Sequence, residues 1–148
     1  MTTALAGPSI VARPQCFLAF DFGTRRVGTA TGNSLLRLAQ PLKTVAAVGS
    51  TRMAMIERLV KEWRPDALVV GVPRHPDGAP HENTRAAQRF ARQLQGRFHL
   101  PVHEVDERYS TTEALLDGAA DVDAASAAII LQQFLRGLPV RPADENNV

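Results

Sequence analysis

Three acidic residues of the sequence stand at positions where a charged side chain is costly to bury. Asp21 ends a short apolar run and follows the alternation of Phe17 and Ala19, so its side chain shares their side of a strand. Glu107 closes a second apolar segment on the alternation of Val105. The third acid lies in the last predicted helix, where the helical period decides which way it points.

Asp123 falls on the apolar stripe of that helix. At about 100° per residue it shares a face with Ala127, Ile130 and Phe134, which must pack against a sheet. No lysine or arginine of the helix shares this stripe, and a charge on a buried face needs a partner or a metal ion. Asp121 points away from the stripe and is predicted to be the N-cap of the helix.

The three acids together are typical of a divalent metal site. Carboxylate oxygens contributed by separate elements at one edge of a sheet suit Mg²⁺ or Mn²⁺. Two such ions about 4 Å apart can activate a water molecule and stabilise the leaving oxygen of a phosphodiester. The four histidines have no zinc-type spacing and are not joined by cysteines. We therefore predict that Asp21, Glu107 and Asp123 are catalytic metal ligands.

Each acid also has an ordinary structural explanation, which the sequence leaves open. Asp21 could be a turn-forming residue before Gly23. Glu107, beside Arg108, could belong to a surface ion pair. Asp123 could cap a helix that begins later than predicted.

The elements that must position these acids alternate in type along the chain. Three short strand segments come first, followed by a helix that we expect to be capped by Ser50 and to stop at Pro65. The strand segments are 16–22, 26–32 and 37–46, with a turn at 32–34. The later elements are a strand at 67–72, a helix at 82–96, a strand at 101–105, a short helix from a capping box at 110–113, and a helix from about Val122 to Arg136.

This order predicts an α/β fold of ribonuclease H-like type. Its core would be a mixed five-stranded sheet, with three antiparallel strands followed by alternating strands and helices, and with helices on both faces. We expect one nuclease domain at residues 16–137, with disordered tails at 1–15 and 138–148.

Arginines on the 82–96 helix are candidates for contact with a nucleic-acid backbone. Arg85, Arg89 and Arg92 line up opposite the apolar face, which predicts either a phosphate-binding stripe or simply a solvated helix face. Arg25 and Arg108 complete our set of candidate nucleic-acid-binding residues.

Charge is unevenly distributed along the chain. Residues 1–73 have a net charge of +5, residues 74–103 of +3, and residues 104–148 of −6. Basic flanks beside an acidic cluster suit a protein that holds phosphates and also binds cations, although uneven surface charge alone would give the same pattern. The single cysteine, the absence of a long apolar run and an N-terminus unlike a signal peptide predict a cytoplasmic protein without membrane contact.

Four short motifs, in order and at suitable distances, resemble the YqgF family, whose members are described as pre-16S rRNA nucleases and as Holliday junction resolvases. They cover the chain from about residue 16 to residue 137. The motifs are Asp21-Phe22-Gly23-Thr24 with Val27-Gly28; Gly71-Val72-Pro73 with Asp77-Gly78; Asp106-Glu107-Arg108 with Ser110-Thr111 and Glu113-Ala114; and Asp123 with Ser126-Ala127 and Ile130-Leu131.

The resemblance implies a ribonuclease H-like domain related to RuvC resolvases, with Asp21, Glu107 and Asp123 as the metal-binding acids. It also implies a role in maturing the 5′ end of 16S rRNA. The sequence departs from the family in one stretch, because only Leu115–Val122 fills a gap that is longer and often rich in Lys and Arg in other members.

We therefore expect a metal-dependent nuclease that processes pre-16S rRNA, with ribosomal precursor particles as possible partners. The alternatives are a Holliday junction resolvase acting on DNA and a nucleic-acid-binding ribosome-assembly module without turnover. The family resemblance supplies most of the preference for RNA, and the shortened stretch adds a little, because it lacks a basic element that could grip a second duplex arm. A nucleotide-binding ATPase with the same DFGT element would need two such domains, and the chain has room for one. The sequence leaves open whether the protein is a monomer or a homodimer.

Overall fold

The computed structural model describes residues 13–74, 77, 79, 82–106 and 121–139. Strands and helices alternate along these ranges in the predicted order. The strands are β1 (Cys16–Phe22), β2 (Val27–Asn33), β3 (Ala39–Val45), β4 (Ala67–Val72) and β5 (Val102–Asp106), and the helices are α1 (Gly49–Trp63), α2 (Thr84–Phe98) and α3 (Val122–Arg136).

The five strands form one mixed sheet in the order β3-β2-β1-β4-β5. Short connections make β1, β2 and β3 antiparallel neighbours. Helices α1 and α2 provide the crossovers that make β4 parallel to β1 and β5 parallel to β4. The predicted mixed five-stranded sheet is confirmed.

Each face of the sheet has its own hydrophobic cluster. Along β1, Phe17 and Ala19 point towards α3, whereas Leu18 and Phe20 point towards α1 and α2. This alternation follows from the period of two along a strand. Helices therefore cover both faces, as predicted. Alternate residues of β1 point to opposite faces of the sheet.

The turn between β2 and β3 is longer than predicted. The Asn33 side chain accepts hydrogen bonds from the backbone N–H groups of Leu35 (3.0 Å) and Leu36 (2.8 Å). Arg37 then adopts a left-handed backbone conformation with φ of 55°. The predicted strand start at Arg37 is therefore wrong, because these local hydrogen bonds extend the turn and β3 begins only at Ala39.

Ser50 is not the N-cap of α1, which corrects the sequence prediction. The helix begins at Gly49, and its N-cap is Val48, whose side chain makes no capping hydrogen bond. Gly49 has a φ of 61°, a conformation that glycine adopts without strain and that turns the chain into the helix before Ser50. Arg64, with φ of 45°, ends this helix just before Pro65.

The other predicted elements differ little from the observed ones. Strand β4 and helix α3 have the predicted bounds, β5 is shifted by one residue, and α2 lies two residues later than expected. Ala87, Phe90 and Leu94 of α2 are buried, whereas Ala86 is half-buried. The predicted helix at the 110–113 capping box lies outside the described residues.

Among the described helices, none is both long and apolar enough to cross a membrane.

Candidate active site

Asp21 lies near the end of β1 between two glycines. In the sheet it is paired with Gly28 of β2 on one side and with Gly71 of β4 on the other. Its parity matches that of Phe17 and Ala19, which places it on the α3 face, and the residue is half-buried. Neither neighbour has a side chain, so the backbone of another element can approach the strand end beside Asp21.

The first turn of α3 packs directly on Gly28. A Cβ atom on this glycine would lie 1.8 Å from the carbonyl oxygen of Asp123 and 2.9 Å from the backbone nitrogen of Ala124. Only a glycine permits such a close approach between a strand and a helix. Since Gly28 is the partner of Asp21 in the sheet, this contact brings Asp21 and the Asp123 segment together on one face.

Asp123 has a cationic partner that the sequence did not reveal. Its Oδ2 atom lies 3.1 Å from Nε of Arg26, in the turn between β1 and β2, and the two side chains are 30% and 65% exposed, respectively. The expectation that Asp123 lacks such a partner is therefore wrong. The α3 stripe itself carries no cation, but tertiary packing brings one from the turn that follows Asp21.

The turn that carries Arg26 is itself tight. A Cβ atom on Gly23 would lie 2.4 Å from the Arg26 carbonyl oxygen, so the turn requires a glycine at this position. The turn therefore fixes Arg26 with respect to Asp21, only five residues earlier in the chain. An exposed ion pair of this kind contributes about 0–1 kcal/mol to stability. A divalent cation that binds Asp123 would therefore displace Arg26 at a small cost in free energy.

Asp121 is the N-cap of α3, as predicted. Its carboxylate accepts hydrogen bonds from the backbone N–H of Ala124 (3.0 Å) and from the hydroxyl of Thr44 in β3. These bonds, that from Thr44 above all, hold the pKa of the Asp121 carboxyl below its ordinary value. Asp121 therefore anchors the start of α3 to the sheet and leaves Asp123 as the acid nearer to Asp21.

Glu107, the third predicted acid, lies outside the described residues, as does Arg108. The neighbouring part of β5 is described: Val105 packs in the α3 cluster and stands in one row of the sheet with Gly71 and Asp21. In the described ranges, which leave out Glu107, no three His, Cys, Asp or Glu side chains are grouped closely enough to hold a metal ion. The structure thus packs the backbone of Asp123 on the strand next to Asp21, while Glu107 lies outside the described residues.

The predicted arginine stripe lies on the other face of the sheet. Arg85, Arg89 and Arg92 are exposed on α2, which packs against the cluster opposite α3, and Arg25 is exposed in the β1–β2 turn. None of these four arginines forms an ion pair with another described residue. The stripe and the Asp21–Asp123 pair therefore do not share a face.

Arg52 is a buried cation that the sequence analysis missed. It is 7% exposed and lies on the inner face of α1 with Ile56 and Leu59. Its guanidinium donates to the carbonyl oxygens of Gly23 and Thr24, which follow Asp21 in the chain. The spacing of an arginine four residues before Ile56, on the apolar stripe of an amphipathic helix, is a signal that could have identified it.

Comparison with known proteins identifies the family of the chain. The model of the family described as "RuvX: Holliday junction resolvase" matches residues 15–137. A relative from Polaromonas sp. (strain JS666), named as a pre-16S rRNA nuclease, is 66% identical over 134 residues, which are 90% of this chain and 97% of the relative. A second relative of that name, from Albidiferax ferrireducens, is 65% identical over 129 residues, covering 87% of this chain and 83% of its own.

A solved structure shares the fold despite low sequence identity. The RuvC protein of T. thermophilus, solved in complex with a Holliday junction substrate, superposes with a TM-score of 0.53 and 14% identity, over 82% of this chain and 93% of its own. This likeness confirms the ribonuclease H-like fold. With the family match over 15–137 and the highly identical relatives, the resemblance seen in the sequence is confirmed, and the chain belongs to the RuvX family, also called YqgF.

Proposed function

We propose that this protein is a metal-dependent nuclease, a hydrolase acting on phosphodiester bonds, and that it processes the 5′ end of pre-16S rRNA. The observation that carries this proposal is the contact of the Asp123 backbone with Gly28, the sheet partner of Asp21. It supports the proposal because two segments that carry acids, distant in the chain, are packed beside each other on one face of the sheet. The names of the relatives support the choice of substrate.

The described residues fit a hard divalent cation, which we propose to be Mg²⁺ or Mn²⁺. Asp21 and Asp123 would supply carboxylate oxygens, and both residues are half-buried. We propose Glu107 as the third ligand, since it directly follows in sequence the last residue of β5, and the carboxyl ends of β5 and β1 lie at the same edge of the sheet. When bound there, the metal would supply Lewis-acid activation of water and stabilisation of the leaving oxygen.

The remaining steps belong to the protein's own side chains. We propose that Asp21 and Asp123 would hold the cation, and that Arg26 offsets the charge of Asp123 before the cation binds. Exposed arginines would bind the flanking phosphates of the strand. We propose Arg25, Arg85, Arg89, Arg92 and Arg108 for this role, with ribosomal precursor particles in the cytoplasm as the source of the RNA.

Cleavage of two substrates side by side tests the proposal. The full chain and its Asp21→Asn variant are incubated with a pre-16S rRNA 5′ fragment and with a synthetic DNA junction, with and without Mn²⁺, and the product ends are mapped. We expect metal-dependent cutting of the RNA by the wild type, faster than cutting of the junction. Asp21→Asn should lose this activity while keeping its circular dichroism spectrum.

A matched control removes an acid that lies away from the site. Glu104 is exposed on β5, so Glu104→Gln should cut the RNA like the wild type. Cutting of the RNA by Asp21→Asn at the wild-type rate would contradict the assignment of the site.

A second candidate function is resolution of Holliday junctions, which the family description and the RuvC-like fold favour. Symmetric nicking of the junction by the wild type, with the RNA left intact, would replace the RNA substrate by this one. Binding of RNA without cutting of either substrate would instead indicate an assembly module without turnover.

A further inference from the structure

A groove of about 500 Å³ lies between α1 and α2, on the face of the sheet opposite α3. Its floor is apolar and includes Phe22, Met53 and Phe90, while Arg52, Arg89 and Gln93 contribute polar groups. No carboxylate is among the described residues that line it. The groove has a volume typical of sites for small ligands and a positive lining.

Arg52 is the unusual member of this lining, because it is buried without a carboxylate partner among the described residues. Its Nε–H donates to the Ala47 carbonyl oxygen (2.8 Å), and its Nη2 group donates to the carbonyl oxygens of Gly23 (3.0 Å) and Thr24 (3.2 Å). Its Cζ atom lies 5.5 Å from the centre of the Phe22 ring. Within the described ranges, its Nη1 group donates none of the hydrogen bonds that this side chain makes.

A buried guanidinium whose Nη1 group donates to no described residue is well suited to bind an anionic oxygen. Carbonyl oxygens satisfy part of its hydrogen-bonding capacity, but no carboxylate in the described part of the chain balances its positive charge. A phosphate group accepts from Arg in geometries that a carbonyl cannot match. Arg89 adds a second cation to the same groove, and it is exposed and without an ion pair in the described chain. The remaining arginine of the lining, Arg97, is already paired with Glu57 at 3.0 Å.

The groove is connected to the proposed active site through the backbone of β1. Phe22, which lines the groove, directly follows Asp21, and consecutive Cα atoms are about 3.8 Å apart. The two side chains point to opposite faces of the sheet at the same strand end. A nucleic-acid strand crossing this edge could reach both sites.

We propose that the groove is a phosphate-binding subsite that takes a phosphodiester of the substrate strand through Nη1 of Arg52 and the side chain of Arg89. The Nη2 group of the same guanidinium holds the Gly23–Thr24 turn, so Arg52 is also a positioning residue for Asp21. Occupation of the groove then restricts the turn that carries the active-site acid. This inference rests on the proposed nuclease function for the identity of the strand, but its binding step is measured without cleavage.

Binding is followed by NMR on the full wild-type chain in metal-free buffer with EDTA. A single-stranded oligoribonucleotide is added in one arm and inorganic phosphate in the other. We expect the RNA to shift the Nε–H signal of Arg52 and the amide signals of Gly23 and Thr24. An Arg52 signal that RNA leaves unmoved overturns the proposal, and a shift with phosphate but not with RNA overturns the assignment to a strand.

Two substitutions on neighbouring helices test the contribution of Arg89. Arg89→Gln should weaken RNA binding several-fold and flatten the dependence of log K on log salt by about 0.7 for a single strand. Arg58→Gln, which removes an exposed arginine of α1 outside the groove lining, should leave both quantities unchanged. Equal effects of the two substitutions would overturn the role of Arg89.

The kinetic constants KM and kcat distinguish a binding role from a positioning role. Arg89→Gln should raise KM with little change in kcat, whereas Arg52→Lys, which keeps the charge but loses the planar fork, should also lower kcat. Thermal melting confirms that Arg52→Lys is folded at the assay temperature, and unchanged kinetics in that folded variant would overturn its positioning role. If the wild type binds RNA through Arg52 without cutting it, the subsite stands and the nuclease proposal fails. If the wild type cuts RNA and the Arg52 signal does not respond, the nuclease proposal stands and the subsite proposal fails.

Discussion

Arg26 forms an ion pair with the Asp123 carboxylate and would compete with a metal ion for it. Replacing Arg26 by Gln removes the competitor, so we expect Mn²⁺ to bind several-fold more tightly. The free energy of unfolding should change by less than about 1 kcal/mol, since both side chains are partly exposed. Titration calorimetry gives the affinity, and urea unfolding gives the stability.

A second ion pair of the molecule provides the control for this measurement. Nη2 of Arg13 lies 2.6 Å from Oδ1 of Asp66, and the two side chains are 68% and 24% exposed. This pair lies at the opposite end of β1 and β4 from the candidate site. Arg13→Gln should therefore leave the Mn²⁺ affinity unchanged. Weaker Mn²⁺ binding in Arg26→Gln would contradict competition and make Arg26 a supporting residue instead.

Gly28 determines how closely α3 approaches Asp21, and an added methyl group has no space there. The Cβ atom of Gly28→Ala would meet the backbone of Asp123 at 1.8 Å, and the backbone cannot move as a flexible side chain could. We expect a loss of stability of about 3 kcal/mol or more and a loss of cleavage below the melting temperature, because the Asp123 segment must shift. Chemical unfolding and the RNA cleavage assay measure the two effects.

Gly96 in α2 offers the matched substitution. A Cβ atom there meets nothing within 4 Å, so Gly96→Ala should raise stability by about 0.5 kcal/mol through the helix propensity of alanine and leave cleavage unchanged. If Gly28→Ala behaved like Gly96→Ala, the close packing of α3 on β2 would be wrong.

At the scale of the elements, the start of α3 is tied to β3 by the cap at Asp121. Because the Thr44 hydroxyl and the Ala124 amide donate to the carboxylate, the pKa of Asp121 is lower in the folded than in the unfolded chain. The stabilisation is therefore present above the ordinary Asp pKa of about 3.9 and is lost as the pH falls through the folded value.

Asp121→Asn tests this pH dependence while keeping a residue that can cap the helix. We expect the wild type to exceed the variant in stability at pH 6, by up to about 1 kcal/mol for a partly exposed site, and the difference to be smaller at about pH 3, below the ordinary Asp pKa. Urea unfolding at both pH values measures it. In a Thr44→Val background the difference at pH 6 should be smaller, since the first donor is gone. A difference that is the same at pH 6 and pH 3 would rule out a contribution from the carboxylate charge.

For the whole molecule, the sheet separates two charged surfaces that meet at one edge. Asp21 and Asp123 lie on the α3 face, and the arginines of α2 lie on the other. If the α2 arginines follow the RNA backbone, replacing Arg85, Arg89 and Arg92 by Gln should weaken binding for every sequence. The slope of log K against log salt should fall by about 0.7 per lost contact.

A triple variant with the same change in net charge is the control for this prediction. Arg13, Arg58 and Arg136 are exposed elsewhere on the molecule, so replacing them by Gln should leave the salt slope nearly unchanged. Equal losses in the two triple variants would mean that only net charge matters. An unchanged slope in the α2 variant would leave a solvated helix face as the better interpretation.

The sequence by itself determined the elements and the faces on which their residues lie. The periods of two and 3.6 predicted five strands, the bounds of β4 and α3, the side of β1 on which Asp21 lies and the cap at Asp121. These features are local, because backbone geometry alone fixes which side of an element a residue occupies. The ends of β3 and α1 were less accurate, since side-chain hydrogen bonds from Asn33 and the positive φ of Gly49 shift them.

Only the tertiary structure decided which residues meet. Arg26 reaches Asp123, Gly28 receives the first turn of α3, and Arg52 holds the turn after Asp21, although 97, 95 and 28 residues separate the respective pairs Arg26–Asp123, Gly28–Asp123 and Arg52–Thr24. Such contacts depend on the strand order and on how closely a helix can approach the sheet. No local period of the sequence encodes either quantity, because each depends on packing between segments that are distant in the chain.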